Sequence, residues 1–232
     1  NFGGTYSTTG GFGANISFSE RNFLGRGQSL SFGINTTSSA RSYNFNFFEP
    51  AFLGRDLGFG IDLNYNETDQ LAADWNTTSG LLRPYFSFPV SDNGRMQLRY
   101  ALRYSDISIP SDSTVGGVIR AERDEGERFD SSLGYTYSYD TRRTGLDPNS
   151  GVLLEFGQDF AGLGGDTSFV KSTLRAVAQT RVLSEEVTLR ASLEAGALNY
   201  SSGNGRVTDR FILGPNVMRG FEYGGIGPRE KG

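Results

Sequence analysis

From Gly11 to Asn22 the chain alternates apolar and polar residues one for one, and the pattern returns along most of its length. Phe12, Ala14, Ile16 and Phe18 fall on one face, with Gly13, Asn15, Ser17 and Ser19 on the other. A period of two is the mark of a strand, because successive side chains point to opposite faces. The cleanest run sets Leu57, Phe59, Ile61, Leu63 and Tyr65 against Gly58, Gly60, Asp62, Asn64 and Asn66. Ten such segments can be traced, the last through Val187, Leu189, Ala191, Leu193, Ala195 and Ala197. No stretch holds a 3.6-residue period over three turns. The chain reads as all-β.

Segment centres lie about 20 residues apart, whereas a soluble sandwich turns every ~8–12 residues and a membrane strand needs ~9–11 residues plus its turn. Glycine supplies 32 of 232 residues and aromatics 13%, with a mean hydropathy of −0.39. No 18-residue apolar run is present, so no membrane helix is expected. A transmembrane β-barrel still fits, since only half of each strand faces lipid. The other face carries Asp62, Arg83, Arg99, Arg103, Asp130, Asp140, Glu155, Lys171, Arg175, Arg181, Arg190 and Glu194. In a soluble protein that face would meet water; in a membrane barrel it would line a wet lumen. Alternation alone does not separate the two. The longer spacing, and the cluster of Tyr135, Tyr137 and Tyr139 at a segment end, favour an interfacial girdle and hence a barrel in a bilayer.

Chemistry is narrowed by absences. The chain has no His and no Cys, which removes the commonest general base, thiolate nucleophiles and most metal sites. No Ser–Lys pairing replaces them. An enzyme is not expected, nor a cofactor or metal. The net charge of −4 gives no footing for nucleic acid.

Connections alternate in length. The compact ones cover 23–27, 49–55, 91–94, 141–150 and 183–186; the long ones include 67–79, 109–127 and 200–228. Outer-membrane barrels have short periplasmic turns and long external loops, which sets the sidedness. The charged run of Arg120, Glu122, Arg123, Asp124, Glu125, Glu127 and Arg128 reads as a solvated external loop, with a calcium site at Asp124, Glu125 and Glu127 as the alternative. An internal echo repeats Phe-Leu-Gly-Arg at Phe23–Arg26 and Phe52–Arg55. An interfacial aromatic followed by Gly in a tight turn accounts for it.

Residues 211–229 contain Arg219-Gly220-Phe221, flanked by Gly214-Pro215 and by Gly225-Ile226-Gly227-Pro228-Arg229. With Asn22-Phe23-Leu24-Gly25-Arg26-Gly27, Phe48-Glu49-Pro50-Ala51-Phe52, and Tyr139-Asp140 through Pro148 and Gly151, this stretch resembles the BamA family of outer-membrane assembly factors. Their superfamily also holds the two-partner secretion transporters. The resemblance implies sixteen strands behind periplasmic POTRA domains. Residues 1–232 then read as the N-terminal two-thirds or more of the barrel, about 11–12 strands, without POTRA domains or final strands.

It further implies an insertase in the bacterial outer membrane, acting on unfolded outer-membrane protein precursors with outer-membrane lipids and accessory assembly lipoproteins as partners. A weak lateral seam is expected at Phe2, Gly3, Gly4, Thr5 and Tyr6, because Gly weakens a strand and an unpaired edge templates another. A short Gly-rich end is the plain alternative. Arg219, Gly220 and Phe221 form the expected loop latch, folded into the lumen, with Glu194 or Glu155 as local carboxylate candidates. Asp62, Arg99, Arg103, Arg175, Arg190 and Glu194 are expected to face that lumen. Two rivals remain at this level: a secretion transporter, and a passive porin lined by Arg99, Arg103, Arg175 and Arg190.

Overall fold

The computed structural model describes residues 1–7, 11–70, 75–110, 115–142, 150–184, 186–211 and 219–221. Eleven strands form one antiparallel sheet in chain order. They are β1 (Phe2–Ser7), β2 (Gly11–Phe23), β3 (Gln28–Thr36), β4 (Ala40–Glu49), β5 (Gly58–Gln70) and β6 (Trp75–Pro89), then β7 (Gly94–Ser108), β8 (Arg128–Asp140), β9 (Gly151–Ala161), β10 (Ser168–Val182) and β11 (Val187–Ser202). One helix, α1 (Gly117–Asp124), lies between β7 and β8. Beyond β1 the strands run from 9 to 16 residues, long enough to cross a bilayer when tilted.

The register shows which face is which. Phe18, Phe32, Phe45, Leu63, Leu82 and Leu102 stand opposite one another across β2 to β7 as one apolar row. All six are exposed. The alternate positions hold the buried polar groups Asp62, Asp130, Ser132 and Asp159. A water-soluble sheet would bury the first set and expose the second. This inversion is the signature of lipid outside and a polar interior, and it resolves what alternation left open. The fold is a partial transmembrane β-barrel.

Two expectations about connections are corrected. Residues 67–79 are mostly strand: β5 and β6 continue pairing through Glu67↔Thr78, Thr68↔Thr77, Asp69↔Asn76 and Gln70↔Trp75. Their polar side chains signalled a loop, but ladders extend beyond a bilayer into water without needing apolar residues, and Thr suits a strand. The run from Arg120 to Arg128 is not a loop throughout, and although Arg120, Arg123, Asp124, Glu125 and Glu127 are exposed as expected, two of its charges are not. It forms most of α1 and opens β8, with Glu122 and Arg128 buried at 5% and 3% exposure.

The compact turns behave as expected where they are described. In both copies of the Phe-Leu-Gly-Arg echo the glycine sits at φ +71, Gly25 before β3 and Gly54 before β5. Most of the 141–150 connection lies outside the described residues.

Candidate functional site

The interior face of β7 to β11 gathers the polar groups, and the chain after β11 folds back onto it. Strand alternation places Arg99, Arg103, Arg175, Arg190 and Glu194 on this face, and Asp62 on its continuation in β5. Asp62 takes two bonds from Arg83 of β6, at 2.7 and 3.0 Å. Arg99 reaches across β8 to Asp159 of β9 at 2.8 Å and to Thr136 at 2.7 Å. Arg103 donates to Ser132 at 3.0 Å. Arg175 lies between two acids, 3.3 Å from Glu155 and 3.4 Å from Glu194. Arg190 sits opposite Gln179 and is exposed. Asp62, Arg99, Arg103, Arg175 and Glu194 are thus held by cross-strand bonds along one inner wall.

Residues 203–211 fasten to this wall through a second, denser network that sequence reasoning missed. Arg206 is 1% exposed. Its guanidinium donates to the Ser105 carbonyl at 2.8 Å, to the Ser105 hydroxyl at 3.3 Å and to the Gly126 carbonyl. Asp209 accepts from the Arg128 guanidinium, from the Tyr200 hydroxyl at 2.7 Å and from the Arg206 backbone N–H at 3.0 Å. Arg128 also bonds Asp130 at 3.0 Å and the Asn204 carbonyl at 3.2 Å, while the Thr167 hydroxyl donates to Asp130. Glu122 of α1 accepts from the Val207 N–H at 2.8 Å and pairs with Arg210 at 3.3 Å. Buried charges persist when paired or hydrogen-bonded. Arg128, Asp130, Asp209 and Glu122 have opposite charges as partners, whereas Arg206 is held by neutral acceptors and its Nε is left without one.

Two carboxylates of this clamp are tuned in opposite directions. Burial pushes Glu122 above its ordinary range, against the Val207 N–H and the Arg210 and Arg206 charges. Asp209 is held below its range: burial opposes its charge, but the bonds from Arg128 and Tyr200, the Arg128 charge and the Arg206 N–H outweigh it.

Beside the clamp the wall hollows into a cavity of about 750 Å³, lined by Thr136, Glu155, Gly157, Arg175, Glu194 and Phe211 among others. The end of the Phe211 ring rests on Gly196, where any Cβ would come within 2.4 Å of it. Lys171 sits 4.8 Å from the ring centre on another side. The cavity is thus a small-residue floor with a two-acid, one-base ladder and an aromatic lid.

Arg219, Gly220 and Phe221 are exposed, and Gly220 adopts φ +90. Both Glu155 and Glu194, the local candidates for Arg219, are engaged by Arg175. The flanking Gly214-Pro215 and Gly225–Arg229 motifs lie outside the described residues. At the other end β1 pairs with β2 from Phe2↔Ile16 to Ser7↔Gly11, and among the described residues no ladder forms on its second side. Phe2 and Tyr6 are exposed, the Tyr6 ring lying tilted 5.1 Å from that of Phe12. Asp124 pairs with Arg123 and Glu125 accepts from Asn204. Among the described residues no group of three or more acidic side chains is placed to hold a metal ion, so the calcium alternative finds no support there.

The chain is 28% identical over 233 residues to the outer membrane protein assembly factor BamA of Neorickettsia risticii, covering 99% of this chain and 31% of that protein. It is 29% identical over 218 residues to the human sorting and assembly machinery component 50 homolog, covering 91% of this chain and 45% of the other. The chain thus spans less than half the length of either relative. Among solved structures, BamA from Haemophilus ducreyi lacking POTRA domains 1–3 matches 98% of this chain and 46% of that one, with a TM-score of 0.70 at 18% identity. CdiB from Acinetobacter baumannii matches 97% of this chain and 42% of its own, at a TM-score of 0.57 and 17% identity. The Omp85 superfamily domain pattern covers residues 22–231, nearly the whole chain including the folded-back segment and the Arg219 loop, and the chain belongs to that superfamily.

Proposed function

We propose that this chain forms the larger part of the barrel of a bacterial outer-membrane assembly factor, which folds and inserts other outer-membrane proteins without covalent chemistry or a cofactor. The observation that carries the reading is a membrane barrel of the Omp85 superfamily whose external loop stem is clamped to the inner wall at Arg206 and Asp209. Omp85 superfamily membership, more than the loop itself, favours assembly over a passive pore. Assembly needs a place where an incoming strand can pair. Among the described residues strand β1 pairs only with β2, and Gly3 and Gly4 make it a poor partner for any permanent neighbour on its other side. Strand addition at an exposed edge is a general mode of recognition. The precursors are the substrates, the surrounding outer-membrane lipids the medium, and accessory assembly lipoproteins of a BAM-type complex in a Gram-negative cell the further partners.

In this scheme Arg219 is the latch. Gly220 gives the turn that aims its neighbours, and the planar guanidinium makes bidentate bonds that Lys cannot copy. Arg219→Ala and Arg219→Lys should both reduce the heat resistance of the folded barrel and slow substrate assembly while leaving expression intact.

The decisive experiment reconstitutes the full-length protein in lipid vesicles with a urea-unfolded outer-membrane precursor. Faster appearance of the heat-resistant folded precursor than in empty vesicles supports the assembly reading. Export of a partner without faster folding would make it a transporter. Ion conductance alone would make it a porin.

A further inference from the structure

The Phe-Leu-Gly-Arg echo serves neither the clamp nor the edge strand, and its geometry demands an explanation. Both copies adopt the same backbone. Leu24 and Leu53 have φ +56 and +57, each followed by a glycine at +71. Gly25 bonds back to the Asn22 carbonyl at 2.9 Å and Gly54 to that of Ala51 at 2.8 Å. Arg26 and Arg55 close the turns on the Phe23 and Phe52 carbonyls at 3.3 and 3.2 Å.

A leucine in the left-handed region is strained, and such positions ordinarily go to Gly or Asn. Strain of this kind persists when the side chain is needed, yet these two find no packing in the fold. Leu24 is 73% exposed and Leu53 79%. Whatever they touch lies outside the barrel.

The surroundings identify it. The two turns lie side by side, tied by a 2.5 Å bond from Gln28 to Glu49, with Gly27 set against Pro50. A register break between Glu20 and Phe23 puts Phe23 level with Gln28, restoring it to the lipid-facing side. Phe52 packs 5.0 Å from Phe59 and 5.9 Å from Phe86, which are 5.3 Å from each other. Phe59 and Phe86 belong to the outer apolar face of β5 and β6. The turns therefore continue the lipid-facing surface past the ends of the strands. Around them Arg21, Arg26 and Arg55 are matched in number by Glu20, Glu49 and Asp56, a balance suited to zwitterionic headgroups.

We infer that the paired turns form one anchor that holds the phospholipid leaflet at the compact-turn end, with Leu24 and Leu53 inserted at the boundary between headgroups and acyl chains. Aromatic and aliphatic side chains seated there beside cations are the usual means of gripping that zone.

The test places an environment-sensitive fluorophore at Leu24→Cys and, separately, Leu53→Cys of the full-length protein in phosphatidylcholine vesicles. Blue-shifted emission, quenched by lipids carrying a nitroxide on the upper acyl chain, is expected at both sites. Unshifted and unquenched emission overturns the anchor. Shifted but unquenched emission also overturns it, because another protein segment then covers the turns. In parallel, the double variant Leu24→Asn, Leu53→Asn keeps residues that tolerate the left-handed turn while removing the apolar tips. It should retain its heat resistance in detergent but enter vesicles about fivefold more slowly, equally in zwitterionic and anionic lipid. Unchanged insertion, or lost heat resistance in detergent, refutes the proposal.

Discussion

Replacing Asp209 by Asn tests the clamp with minimal change of shape. The carboxylate oxygen accepts three bonds, from Arg128, from Tyr200 at 2.7 Å and from the Arg206 N–H at 3.0 Å. An amide oxygen can keep the last two as neutral bonds. Arg128 is not stranded, because Asp130 at 3.0 Å and the Asn204 carbonyl at 3.2 Å still receive it. What disappears is one charge-assisted bond, worth about 1.5–3 kcal/mol. Asp209→Ala removes the one oxygen that accepts all three bonds and should cost about 3–5 kcal/mol.

The loss should be local, since residues 203–211 are attached by side chains while the strands keep their ladders. Detachment of that segment becomes about tenfold to a hundredfold more frequent in the Asn variant. Hydrogen exchange at the Arg206 and Val207 amides and tryptic cleavage after Arg206 and Arg210 measure it. Acid provides the sign. A carboxylate held below its ordinary range contributes stability that is complete above that range and lost as pH falls through its lowered value. Acid should therefore loosen the segment in the parent and no longer do so through this group in Asp209→Asn. If β7 and β8 lose protection as much as 203–211 does, or the segment stays closed, the clamp is not what holds it.

Glu122→Gln should act in the opposite sense. Its carboxyl is raised above 4.5, so its contribution is complete at acid pH and declines as pH rises through the raised value; the variant should flatten that decline in exchange measurements on Val207. Leu63→Arg places a charge on the lipid face and should cost roughly 2–4 kcal/mol in bilayer unfolding titrations. Asp62→Asn weakens a pair with a partly exposed Arg83 and should cost only about 1 kcal/mol. Gly196→Val should expel Phe211 from its floor, detected as lost protection of the 203–211 segment without loss of strand pairing.

Period-two alternation carried the strands, their faces and their chain-order pairing, because every ladder joins neighbours in sequence and the pattern is local. It faltered at Glu67–Gln70 and Trp75–Ser79, where a strand leaving the bilayer becomes as polar as a loop. Glu122 and Arg128 looked solvated for a related reason: charge alone does not reveal an oppositely charged partner far along the chain. Arg128 meets Asp209 across 81 residues and Arg206 meets Ser105 across 101. No spacing rule reaches that far. Parity alone puts Arg99, Arg103 and Arg175 on one face of their strands, but Arg99–Asp159 and Arg175–Glu155 needed the register itself.

That long reach of Arg206 governs the order in which the molecule is built. Each ladder closes only a short loop, so hairpins can add one after another with little entropic delay. Arg206 and Ser105 are 101 residues apart, and they meet only once the ladders from β7 to β11 have shortened the loop between them. The receptor for Arg206 also needs β7 and α1 already in place. The clamp is therefore a late event, absent from the folding transition state. Arg206→Ala should leave the rate of strand assembly untouched and appear entirely as faster loss of the finished state.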